Sequence, residues 1–101
     1  MNEDLRRSVE AALATVNDPE LGIDIVSLGL IYEIEADHKG AVTILMTMTT
    51  PGCPMHETIV ADVERTIRAL PDVTDLRVTV TFSPEWTPER LKPQARFLLG
   101  R

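Results

Sequence analysis

The chain predicts an α+β fold, a small two-layer α/β sandwich in the order α-β-β-α-β-α. Three observations carry this reading. Two segments repeat apolar residues every three or four positions, three others alternate them every second position, and Gly, Pro, Asp and Asn mark the breaks between them. The 101 residues, 44% hydrophobic and 26% charged, suffice for one buried core, so residues 1–101 read as a single domain.

Leu5, Val9, Leu13 and Val16, with Ala12 beside them, form one stripe and predict a helix over residues 3–16. Asn2 suits its N-cap, and Glu3 and Asp4 suit its positive end. Asn17-Asp18-Pro19-Glu20-Leu21-Gly22 breaks the pattern, because the residue before a proline is disfavoured in helical geometry. Leu30, Tyr32 and Ile34 then alternate with Ile31, Glu33 and Glu35, and Val42, Ile44, Met46 and Met48 alternate with Thr43, Leu45, Thr47 and Thr49. With Asp37-His38-Lys39-Gly40 between them, the two runs predict a β-hairpin. Its apolar side faces the core, and its threonines read as an exposed face. Ile59, Val63, Ile67 and Leu70 predict a second helix from Pro54 to Leu70. A third strand follows from Leu76, Val78, Val80 and Phe82, with its direction left open by pattern alone. Trp86 reads as a cap on the core edge, and Thr87-Pro88-Glu89 opens a short C-terminal helix that restarts at Pro93.

A net charge of -6, from 16 acidic and 10 basic residues, is not the footprint of a nucleic-acid or anionic-membrane binder. One cysteine forms no internal disulfide, and no run is apolar enough to span a bilayer; the polar start Met1-Asn2-Glu3-Asp4 lacks a signal-peptide core. These features predict a cytoplasmic protein.

The lone cysteine sits in Thr49-Thr50-Pro51-Gly52-Cys53-Pro54-Met55-His56, immediately before the second helix. The partial positive charge of a helix start favours the thiolate, the reactive and metal-binding form. Pro54 fits the first helical position, and Gly52 keeps bulk away from the sulfur. Thr50 adds a nearby hydroxyl. The alternative reading of Cys53 is a small buried apolar residue. His56, three positions on, is a candidate second polar partner, as an imidazolium beside the thiolate or a second ligand to one metal; a solvated first-turn residue is the alternative. Asp18, Glu20 and Asp24 form a carboxylate cluster able to line a pocket or orient a metal, or simply to make turn hydrogen bonds. His38 reads as solvated, and Met46 and Met48 as packing. Phosphate loops, paired Cys-x-x-Cys motifs and dinucleotide fingerprints are absent from the sequence.

Three segments together resemble the SufT/PaaD-like metal–sulfur cluster biosynthesis family, the iron–sulfur assembly-associated domain. They are Asp18-Pro19-Glu20-Leu21 through Ile25-Val26-Ser27-Leu28-Gly29-Leu30-Ile31-Tyr32, then Thr49-Thr50-Pro51-Gly52-Cys53-Pro54, then Pro84-Glu85-Trp86-Thr87-Pro88-Glu89 with Ala95-Arg96 and Leu99-Gly100. Their order and spacing cover nearly the whole chain. The resemblance implies an iron–sulfur assembly type domain and a role in maturing iron–sulfur proteins, with assembly of a multicomponent oxygenase as the alternative. The family's motif cysteine maps to Cys53 and its acidic loop to Asp18 and Glu20, while Asp24 stands where the family often has a polar residue. Ser27 stands where the family commonly has an acid.

One thiolate cannot hold a four-iron cluster, which takes about four cysteine ligands. No tightly bound cofactor is therefore expected; the thiol would meet a cluster or iron transiently, or serve as a docking or redox contact. An assembly factor is favoured over a turnover enzyme, because a hydrolytic Cys–His pair needs an orienting acid that the spacing does not supply. Expected partners are iron–sulfur client or assembly proteins, and an unpaired sheet edge leaves room for a homodimer.

Overall fold

The computed structural model describes residues 2–49 and 56–99. Helix α1 spans Glu3–Leu13, β1 Asn17–Asp18, β2 Ile23–Asp24, β3 Ile31–Ala36, β4 Ala41–Met46, α2 His56–Arg68, β5 Asp75–Val80 and α3 Pro93–Leu99, with a 3-10 turn at Pro88–Arg90. The main sheet has the order β3-β4-β5. Its hairpin is antiparallel, with Glu33 opposite Leu45, Ile34 opposite Ile44 and Ala36 opposite Val42. The direction left open by the sequence is parallel: β5 runs alongside β4 from Ala41 opposite Asp75 to Met46 opposite Val80. The connection between these parallel strands includes α2, as such a pair requires.

The turn of the hairpin sets that register. Asp37 Oδ1 accepts from the Lys39 N–H at 2.8 Å and the Ala41 N–H at 2.9 Å, while Gly40 takes φ 89°. The Gly40 carbonyl then accepts from the Thr74 N–H at 2.9 Å, and the Thr74 hydroxyl donates to the Lys39 carbonyl at 2.7 Å. The start of β5 is thus pinned to the turn that starts β4.

The core lies between the sheet and the two long helices. Leu5, Val9 and Leu13 enter from α1, Ile59, Val63 and Ile67 from α2, and Val42, Ile44 and Met46 from the central strand. Met48 is buried as well, so both strand methionines pack as expected.

Several boundaries differ from the sequence reading. Helix α1 ends at Leu13, three residues early, because Thr15 and Val16 donate to the carbonyls of Ala12 and Leu13 and tighten the last turns; Val16 still reaches the core. The break at 17–22 is a small hairpin, β1 against β2. Helix α2 ends at Arg68, and its expected start at Pro54 lies outside the described residues. Thr47 is fully buried, not on an exposed face: past the last paired residue, Met46, Thr47 and Met48 are buried in succession and the alternation stops. Phe82 falls beyond the last paired residue of β5 and is 38% exposed instead of pointing inward. Thr87 is extended with no side-chain cap bond, so the segment after it makes only the 3-10 turn before α3.

Candidate functional site

The site expected from the sequence has two parts, the carboxylate loop and the cysteine turn. Cys53, Thr50, Gly52 and Pro54 lie outside the described residues. What the structure defines is the ground on either side of them: the buried end of the hairpin at Met48, and α2 from His56 onward.

The carboxylates are placed in detail. Asp18 is buried, and its Oδ1 accepts from the Glu20 N–H at 2.8 Å and the Leu21 N–H at 3.3 Å. The Gly22 N–H donates to the Asp18 carbonyl at 2.8 Å, and Gly22 takes φ 68°. Asp18 therefore makes the β1–β2 turn, using the donors that Pro19 and the tight reversal leave free. Asp24, half-buried, accepts from the Ser27 N–H at 2.9 Å through Oδ2 and closes the next turn. Glu20 is exposed at the tip of the small hairpin. Asp18 and Asp24 sit on its two paired strands, but each is engaged by backbone. Among the described residues no three His, Cys, Asp or Glu side chains are grouped to hold a metal ion.

His56, half-buried at the start of α2, meets Phe82, with ring centroids 6.4 Å apart and planes at 60°. His38 is exposed in the hairpin turn, as expected.

A second set of contacts was not anticipated from the sequence. Residues 83–96 strap across the loop that follows β2. Ser27, where an acid was expected from family resemblance, is buried; its Oγ accepts from Gln94 Nε2 at 3.1 Å and its carbonyl from the Lys92 N–H at 2.9 Å. Trp86 Nε1 donates to the Leu28 carbonyl at 2.8 Å. Tyr32 is the extra residue where the β3–β4 register shifts; its hydroxyl donates to the Pro84 carbonyl at 2.7 Å, and the Arg90 guanidinium lies 4.7 Å from its ring centroid. Arg96 holds the strap to itself through the carbonyls of Leu91 and Glu89. Trp86 thus caps the core edge as its size suggested; the signal for the rest was Gly29, whose role appears only when Arg90 is seen against it.

The fold and the chain's relatives agree. The sequence profile of the iron–sulfur cluster assembly protein family matches residues 6–80. The chain belongs to that family. It is 41% identical over 100 residues to the Fe-S protein maturation auxiliary factor YitW of Bacillus subtilis (strain 168), a match covering 99% of this chain and 98% of that one. The crystal structure of DUF59, a domain of unknown function from Bacillus anthracis, superposes with a TM-score of 0.93 at 42% identity, covering 97% of this chain and 93% of the other. An iron–sulfur cluster carrier protein of Synechocystis is 39% identical over 94 residues, which are 93% of this chain and 26% of the carrier. The profile ends at residue 80, whereas the B. subtilis match takes in nearly the whole chain, the strap included.

Proposed function

We propose that this protein is an iron–sulfur maturation factor whose working group is the Cys53 thiol. The near full-length match to a maturation auxiliary factor carries the reading. In the chain, Cys53 lies between Met48, which is buried, and α2, which packs through Ile59, Val63 and Ile67. A functional residue on a connecting segment is best served by packed elements on either side of it.

The cluster or its iron is cargo. With one thiolate in the whole chain, Cys53 supplies at most one of about four ligands, and the other protein in the encounter supplies the rest. This makes the contact transient and the partners iron–sulfur assembly or client proteins. Asp18 and Asp24 act by shaping the acidic loop, Glu20 presents its exposed charge, and His56 is the polar neighbour on α2. Thr50, Gly52 and Pro54, beside Cys53 in the chain, belong to the same proposed site. The whole chain works as one domain in the cytoplasm, and among the described residues no helix is long and apolar enough to cross a membrane. Assembly of a multicomponent oxygenase draws no support from these relatives.

The test is Cys53→Ala, with client iron–sulfur enzymes assayed in cells. Client activity is expected to fall while client protein levels hold. Full activity at normal levels of the variant overturns the thiol's role.

A further inference from the structure

We infer that this chain pairs with a second copy of itself through β5, the two strands running antiparallel about a two-fold axis at Val78 and joining the two main sheets into one. The inference stands apart from the Cys53 reading and does not depend on how the thiol acts.

The edges of the main sheet are β3 and β5, and they are built differently. An open strand edge is a template for a further strand, and proteins blunt the edges that stay single. β3 carries such devices. Its register shifts at Tyr32, Glu33 and Glu35 stand exposed on it, and the Asn2 N–H occupies the Ala36 carbonyl at 2.7 Å. β5 instead keeps register with β4 from Asp75 to Val80 without a bulge. From Val78 to Phe82 the sequence is Val-Thr-Val-Thr-Phe, without charge, proline or glycine, which is the composition of a segment that pairs readily where it is left open.

The ladder shows which backbone groups of β5 are open. The Thr81 N–H donates to the Met46 carbonyl at 2.8 Å. Successive residues of a strand turn their N–H and C=O to opposite sides, so Arg77 and Thr79 also face β4 while Leu76, Val78 and Val80 face away. Among the described residues, no backbone hydrogen bond outside the strand ladders engages these three.

A second β5 fits that row, because a two-fold axis sets each N–H against a C=O. With the axis at Val78, Leu76 meets Val80 of the second copy, Val78 meets its own counterpart, and all three outward residues are used. An axis at Arg77 would pair Val80 with Thr74, whose N–H already serves the Gly40 carbonyl, and would set two Arg77 side chains directly opposite. An axis at Thr79 would send Leu76 past the end of β5. Val78 and Val80, half-buried on the helix side of the sheet, gain cover from the second copy. One strand pair is an interface of the small class, below about 1,200 Å², which sets dissociation in about the micromolar range. On the open face this register places Thr79 opposite Arg77 of the second copy, on both sides of the axis; both residues are exposed.

The experiment is sedimentation equilibrium of the full chain from about 1 µM to about 1 mM, where a monomer–dimer equilibrium is expected. Thr79→Glu sets a carboxylate opposite Arg77 twice and is expected to tighten the dimer at least about threefold, whereas Thr79→Lys sets like charges there and loosens it by as much. Arg77→Glu combined with Thr79→Lys restores association. Thr43→Lys, on the same face of the central strand, and Glu35→Lys, on β3, leave it unchanged, with circular dichroism showing each variant folded. Amide exchange at Leu76, Val78 and Val80 slows as concentration rises. A chain that stays monomeric at about 1 mM overturns the inference. So does a dimer that responds alike to Thr79→Glu and Thr79→Lys, or one that Thr43→Lys or Glu35→Lys breaks.

Discussion

Replacing Gly29 by alanine tests how the C-terminal strap is held. Gly29 has φ 75°, a region in which an L side chain is strained by about 1–2 kcal/mol. A Cβ there would also overlap the Arg90 carbonyl oxygen, and would approach the Arg90 carbonyl carbon at 2.8 Å and its Cβ at 2.9 Å. The obstacle is backbone, which cannot swing away as a side-chain end can. Overpacking of this kind adds about 1–3 kcal/mol, so Gly29→Ala should destabilise the protein by about 2–5 kcal/mol in total. Gly22 supplies the control. It has φ 68° but nothing within 4 Å of an added Cβ, so Gly22→Ala should lose only the backbone component, about 1–2 kcal/mol. Urea denaturation measures both. Trp86, the sole tryptophan, donates to Leu28 next to Gly29, so its fluorescence reports on strap docking without a label. Gly29→Ala should red-shift that emission before any denaturant is added, and Gly22→Ala should not. Equal losses in the two variants with unchanged Trp86 emission refute the argument that the strap seats on Gly29.

Asp18→Ala removes the acceptor of two backbone N–H groups from a buried position and should cost about 1–3 kcal/mol by urea denaturation, whereas Asp18→Asn, which keeps an acceptor oxygen, should lose much less. If Asp18→Asn folds normally yet fails to mature clients, the carboxylate has a role beyond the turn. Trp86→Phe keeps most of the ring but strips the Leu28 carbonyl of its donor, an expected loss of about 1 kcal/mol measured by thermal unfolding. The N–H groups of Ala41 and then Lys39 hold the Asp37 carboxyl below the ordinary carboxylate range. A lowered folded-state pKa stabilises above the unfolded value of about 3.9, and the contribution is lost as pH falls through the folded value. The stability gap between wild type and Asp37→Asn should therefore be constant from neutral pH to about pH 5 and shrink below about pH 4, as followed by urea titrations across that range.

What was legible in the sequence was whatever is local. The 3.6-residue stripes of Leu5, Val9, Leu13 and of Ile59, Val63, Ile67 place two helices, because each residue's side of a helix follows from its position alone. The two-residue alternation of Val42, Ile44 and Met46 selects the buried face of the central strand for the same reason. Asn2 and Asp37 act on backbone groups within four residues, so their roles follow from residue type. Of the candidate site, the turn-forming option for Asp18 was visible in Asp-Pro-Glu, since its partners are two and three residues away.

Only the tertiary structure decided the rest, because it depends on pairs far apart in the chain. Nothing within residues 75–80 states that β5 runs parallel to β4; the bonds between Thr74 and the turn at Lys39 and Gly40 do. Nothing near Ser27 foretells Gln94, 67 positions away, or seats Trp86 on Leu28, 58 positions away. Phe82 looked like the last inward residue of a strand, yet it lies against His56 past the end of the pairing. Side-chain periodicity encodes which face an element buries, and the choice of neighbour is made by packing and hydrogen bonds that close only when the distant segments meet.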